Sequence, residues 1–121
     1  MLHHIAYTRL WEQALEQGEY RWSTLDKQIS EVGYMHCSDS IEQVQLVARF
    51  LFGDVRERLC VLDIDQDVLI EAGFEIRFES ASEHDPSSEK FPHVYGGNLP
   101  LNAVRNIRRF PNRQAMIQSL L

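Results

Sequence analysis

One helix can be placed in this sequence almost to the residue, and it limits how the rest of the chain can be arranged. Ser40 and Gln43 stand three residues apart at the head of an apolar series. At that spacing a hydroxyl and an amide side chain satisfy each other's orphan backbone donors. Ile41, Val44, Ala48 and Leu51 follow at steps of three and four and form one apolar face. Phe50 and Phe52 are expected to widen that face, and Gly53 to end the helix. Short extended runs lie on both sides, Gly33 to Ser38 before it and the apolar, β-branched stretch Leu59 to Ile64 after it. Helix and strand patterns therefore alternate within one short chain.

The remaining segments fit the same mixture. His3 to Tyr7 reads as a first strand, with Thr8 as N-cap of a helix carrying Leu10, Trp11, Ala14 and Leu15 and stopped by Gly18. Residues 19–32 are polar and read as surface loop with a helical turn. Gly73 to Glu79 is a strand in which Phe74, Ile76 and Phe78 alternate with Glu75, Arg77 and Glu79. Ser80 to Lys90, with Pro86 and four serines, reads as a mobile loop. His93 to Tyr95 is a short extended piece closed by Gly96-Gly97, Val104 to Phe110 a last strand, and 112–120 a terminal helix. Without regular βαβ alternation these elements predict an α+β fold rather than a doubly wound sheet. The 121 residues suit one domain spanning 1–121.

Composition narrows the setting. No apolar run approaches the roughly 20 residues of a membrane span, and the opening MLHHIAYTRL lacks the pattern of a secretory signal. A cytoplasmic location is expected, with Cys37 and Cys60 as reduced thiols. All 18 acidic residues fall in the first 90 positions beside eight basic ones, whereas the last 31 hold only Arg105, Arg108, Arg109 and Arg113. The two parts carry −10 and +4. The arginines either meet an anionic ligand or pair with the protein's own acidic half. The net charge of −6 argues against nucleic acid as a partner.

Three extended runs carry polar, chemically capable residues: His3-His4, His36-Cys37-Ser38, and His93 with Tyr95. Buried polar groups need partners, and convergence of the three runs would supply them. His36 is the sharpest residue. It precedes the capped helix, where amides from Ser38 to Ile41 are expected to face an anion, with His36 as donor or acid–base group. The alternative is a core histidine satisfied by backbone. Cys37 faces opposite to His36 and reads as packing, as does Cys60. His4, His36, Cys37 and His93 are residue types that zinc accepts, but their separations lack paired ligand spacings, so no metal is assigned. Arg77 is either a ligand clamp or an exposed ion pair with Glu79 on the same strand face.

HHIAYTRLWEQALEQGEY, GYMHCSDSIEQVQLVARFLFG, LCVLDID, and FPHVYGGNLPL followed by AVRNIRRF resemble, in order and spacing, the domain-of-unknown-function 952 family over nearly the whole chain. GYMHCS and FPHVYG are the specific segments. The resemblance implies a cytoplasmic stand-alone domain with a fold similar to the ADP-ribosyltransferases, a split, mainly antiparallel β structure with flanking helices. In that superfamily a first-strand histidine holds the nicotinamide ribose of NAD, and a second polar or aromatic residue stacks or bonds nearby. His4 resembles the first of these, and His36 or Ser38 the second, while His93 falls in the family's own third motif. Ile5 stands where many transferases have glycine, and His93 and Tyr95 where they have a catalytic glutamate. Those departures fit a histidine-using branch, such as the RNA 2′-phosphotransferases, or a nucleotide binder.

The expectation is thus a histidine-lined pocket for a small nucleotide-like molecule, with NAD as ligand or substrate. His36, His4 and His93 would act on the ligand, and Ser38, Tyr95, Arg77 and Ser40 would bind it. Loop 80–90 would close over it. The alternative, motivated by the charge split, is a protein-interaction or regulatory domain.

Overall fold

A computed structural model gives the fold and describes residues 1–81 and 89–121. The chain runs β1 (Leu2–Tyr7), α1 (Thr8–Gln17), β2 (Glu19–Tyr20), β3 (Trp22–Thr24), β4 (Lys27–Gln28), α2 (Ile29–Val32), β5 (Met35–His36), α3 (Ile41–Phe50) and β6 (Leu59–Ile64). It continues through α4 (Gln66–Glu71), β7 (Glu75–Ser80), β8 (Lys90–Tyr95), β9 (Leu99–Pro100), β10 (Val104–Phe110) and α5 (Arg113–Leu120). Every strand pair among the described residues is antiparallel.

Two three-stranded sheets carry the architecture, ordered β1-β6-β10 and β5-β8-β7. β6 holds the centre of the first because Leu59, Cys60, Val61, Leu62 and Ile64 are apolar on both faces and all buried. One bridge, His3 opposite Ser38, joins the edge of β1 to the end of β5. The β structure is therefore split, yet stitched at that point.

Strand alternation divides the core in two. Leu2, Ala6, Cys60, Leu62 and Ile64 face a cluster with Trp11, Tyr20, Met35, Cys37 and Val94. Ile5, Tyr7, Leu59 and Val61 face the other way, beneath Val44, Val47 and Ala48 of α3 and Met116 of α5. The arginine group partly turns inward on the chain's own acids, with Arg105 to Asp65 at 3.2 Å and Arg108 to Asp63 at 3.1 Å. No helix among the described residues is long and apolar enough to cross a membrane.

Several local expectations are corrected. Thr8 is the first residue of α1, not its cap; Tyr7 occupies the cap position without a side-chain bond. Ser40 does cap α3, but the Gln43 amide reaches the backbone of Asp39 rather than that of Ser40. The buried face of α3 is Gln43, Val44, Val47 and Ala48, and the helix ends at Phe50, before Gly53. Phe50 is 79% exposed, so it does not widen the core face. Residues 19–32 form three very short strands and α2, pieces too brief to show a period. α4, capped by Asp65, escapes sequence reading for the same reason. On β7 the alternation fails at Phe78, which is exposed. Most of the predicted 80–90 loop, with His84, lies outside the described residues.

Candidate functional site

The three histidine segments do converge. β1 delivers His4 to the junction between the sheets, where its Nδ1 donates to the backbone oxygen of His36 at 2.6 Å. That leaves Nε2 of the neutral ring to accept from the Tyr20 hydroxyl at 2.9 Å. Burial pushes His4 down to about 4, outweighing the bond to His36, so it stays uncharged at neutral pH. With both nitrogens occupied, His4 clamps β5 in place and faces the interior.

His36 and His93 stand directly opposite each other on β5 and β8, and Arg77 stands opposite His93 on β7. Directly opposed residues share a sheet face, so one face collects His36, His93 and the alternate β7 residues Glu75, Arg77 and Glu79. His93 Nδ1 donates to Glu79 Oε1 at 2.9 Å, and the Tyr95 hydroxyl donates to the same oxygen. Tyr34 stacks on His93 with centroids 4.0 Å apart and planes 15° apart. His36 Nδ1 lies 3.3 Å from His93 Nε2. The other His36 nitrogen, Nε2, is buried and has no hydrogen-bond partner among the described residues.

The charges follow from these contacts. Burial, then the neighbouring His93 and His4, push His36 down to about 3. Burial also lowers His93. The Tyr95 hydroxyl, followed by His93, holds Glu79 below the usual carboxylate range, and the same Glu79 bond pushes Tyr95 up to about 12. Burial raises the Cys37 and Cys60 thiols, in keeping with packing.

Beside His36 opens a cleft of about 520 Å³, walled by Tyr34, Phe50, Phe91, Val32, Leu46 and Val47, with Ser23, Thr24, Leu51, Ala81 and Glu89 at its margins. No lysine or arginine lines it among the described residues. α3 contributes its second half to this wall, not its N-terminus. Two of the four amides expected to form an anion cradle, Ser38 to Ile41, are engaged internally: Ser38 N donates to His3 O and Asp39 N to Gln43 Oε1. Ser38 thus lies within strand pairing and Ser40 serves as a cap. Arg77 pairs with Glu75 at 3.0 Å, not with Glu79, and its guanidinium lies 4.3 Å over the Tyr95 ring. His4, Ser38, Ser40, Tyr95, Arg77 and His93 are not among the residues lining the cleft; His36 is. Among the described residues no three His, Cys, Asp or Glu are grouped to hold a metal ion.

Sequence reasoning missed Glu79 as the partner of His93 and Tyr95, having paired it with Arg77. The strand face it occupies was visible, but the β7–β8 register was not. Tyr34 and Phe50 were missed as cleft walls because their roles depend on tertiary placement.

Fold and site together define a small α+β domain with a histidine at the side of an apolar cleft. The chain belongs to the family described as Protein of unknown function (DUF952), which matches residues 5–107. It is similar to a crystal structure of protein CC0527 from Caulobacter crescentus at 25% identity and a TM-score of 0.67, over 89% of this chain and 83% of that one. A double mutant of CC0527 matches at 24% identity with the same coverage and TM-score. No curated protein matches the chain.

Proposed function

We propose that this domain binds a small, uncharged, ring-bearing molecule in the cleft, against a wall that includes His36. The observation that carries this reading is an apolar hollow of about 520 Å³ walled by Tyr34, Phe50 and Phe91, with His36 in its lining and no lysine or arginine among the described residues. Tyr34, Phe50 and Phe91 offer stacking and edge contacts to a planar body. A phosphate would need cations, and the nearby Arg77 is engaged by Glu75 outside the cleft. The nucleotide-like ligand implied by the ADP-ribosyltransferase resemblance therefore narrows to its ring end, with nicotinamide as the natural first probe. Binding without turnover is favoured, because a histidine held near 3 is a poor proton acceptor at neutral pH. The interaction-domain alternative loses support because Arg105 and Arg108 already pair with Asp65 and Asp63.

Calorimetric titration of the full chain with nicotinamide, adenine, NAD and ADP-ribose tests the reading. Heat with the uncharged rings, reduced in Phe50→Ser, is expected. Binding of ADP-ribose with no response to either free ring would overturn it.

A further inference from the structure

We propose that β7 pairs antiparallel with β7 of a second copy of this chain, about a two-fold axis at Phe78, joining the β5-β8-β7 sheets of the two copies into one. This surface is separate from the cleft, and the proposal is independent of the ligand reading above.

The outer main chain of β7 is open. β7 pairs with β8 in unbroken register and forms the edge of its sheet. On β8 the Pro92 carbonyl accepts from Cys37 N, just past β5, at 3.0 Å, so residue 92 turns its main-chain groups toward β5. Successive residues of a strand direct those groups to alternate sides. Phe78, directly opposite Pro92, therefore points its own N–H and C=O away from β8, as do Ile76 and Ser80. Among the described residues no other segment makes a main-chain bond to these three.

The side chains leave the same edge uncovered. Phe78 shares a sheet face with Ile76, which packs on the core, yet is itself 55% exposed. Edge strands are commonly guarded by bulges, prolines or charge. β10, an edge of the other sheet, has such guards: a register shift between Val104 and Asn106, and Arg105, Arg108 and Arg109 with no acid. β7 has neither bulge nor proline, and Glu75, Arg77 and Glu79 alternate in sign along one face.

That alternation selects the register. Antiparallel pairing sets outward-pointing residues opposite each other, so a two-fold axis must pass through a residue pair and its own equivalent. With Arg77 on the axis, Arg77 meets Arg77 and Glu75 meets Glu79, like charge on like. With Glu79 on the axis, Glu79 meets itself. With Ile76 on the axis, the strands overlap only from Glu75 to Arg77. With Phe78 on the axis, the strands overlap from Ile76 to Ser80, the two Phe78 rings meet, and Arg77 of each copy faces Glu79 of the other. Those Arg–Glu pairs are the non-hydrogen-bonded ones, in which side chains lie closest. Both groups can serve: the Arg77 side chain is 50% exposed, and Glu79 engages His93 and Tyr95 through Oε1, with Oε2 unbonded among the described residues. The pairing closes on itself and buries both exposed rings. One strand pair is a small interface, so the dimer is expected to dissociate on dilution.

Sedimentation velocity of the full chain over a concentration series should show monomer and dimer in exchange and nothing larger. Phe78→Lys, which sets two like charges on the axis, and Arg77→Glu, which turns both Arg–Glu pairs into like-charge pairs, should each weaken the dimer roughly tenfold or more. Both positions are exposed, and if one variant fails to fold the other decides. A monomer at every concentration, a dimer unchanged in the folded variants, or growth beyond two copies overturns the proposal. Crosslinking reads the register. An equimolar mixture of Arg77→Cys and Glu79→Cys chains, treated with oxidised glutathione, should give a disulfide-linked dimer of one chain of each kind. Neither variant alone should crosslink, because in this register equal positions off the axis are too far apart to bridge. Cys37 and Cys60 are buried and stay out of the reaction. Self-crosslinking of Arg77→Cys, or a mixture that dimerises without the mixed crosslink, overturns the Phe78 axis.

Discussion

His4 and His36 lie a carbonyl apart and have opposite fates. His4 donates to that carbonyl and accepts from Tyr20, so it is satisfied; His36 has one nitrogen without a partner among the described residues. Tyr20→Phe removes the one donor to His4 Nε2 among the described residues, at a buried position, and is expected to cost about 1–3 kcal/mol in urea unfolding. A loss below a few tenths would show that His4 finds another partner. Both histidines also make stability depend on pH. Folded, they titrate at about 4 and about 3, against 6.5 in an unconstrained chain. Below pH 6.5 the unfolded chain therefore binds more protons than the folded one, and stability, full above that value, falls as the pH drops toward 4 and below. At pH 5 the loss is on the order of 2 kcal/mol per ring relative to pH 7.5. Urea midpoints that rise with acidification across this range would contradict the buried neutral state. The sequence offered convergence as one way for these imidazoles to find partners, with core histidines satisfied by backbone as the alternative. It did not show which would be satisfied, since that turns on Tyr20, 16 residues from His4 in a segment with no readable period.

At the scale of the element, α3 shows how a correct local signal can be completed by distant structure. Ser40 caps as its spacing predicts, accepting from Gln43 N at 3.2 Å. Gln43 goes further. Its carbonyl oxygen accepts from Asp39 N, and its amide donates to Lys90 O on β8 at 2.8 Å. One side chain thus ties the helix start to the sheet that carries His93. Ser40→Ala is expected to cost about 1 kcal/mol. Gln43→Leu should cost more, because it removes two part-buried bonds at once, to the Asp39 amide and to the Lys90 carbonyl. Comparison of the two by urea unfolding checks the order, and equal losses would reduce Gln43 to a helical capping residue. The apolar steps of the helix located Val44 and Ala48 correctly but misassigned Phe50, because a hydrophobic residue at the flank of a helical stripe reads the same whether it meets core or cleft. Likewise the β7 alternation was visible, while its pairing with β8, which makes Glu79 a partner of His93, is a long-range register that no local pattern encodes.

Across the whole molecule, stability and the proposed activity are carried by different surfaces of the same elements. The central strand β6 is buried on both faces and carries none of the cleft wall. The cleft lies beside the second sheet, which touches the first through the His3–Ser38 bridge and the His4 clamp. α3 serves both: Val44 and Ala48 press on the central sheet, while Leu46 and Phe50, on its outer flank, wall the cleft. This separation yields a paired prediction. Leu62→Ala, in the heart of β6, removes a fully buried side chain and should cost about 2–5 kcal/mol. In the chains that remain folded, it should leave ring binding intact. Phe50→Ser replaces an exposed side chain and should leave unfolding within about 0.5 kcal/mol of the parent, while removing one aromatic wall and weakening nicotinamide or adenine binding severalfold. Unfolding curves and titrations on both variants check the pair. If Phe50→Ser is strongly destabilised, the outer flank of α3 belongs to the fold after all; if it binds rings as tightly as the parent, the cleft is not where they sit.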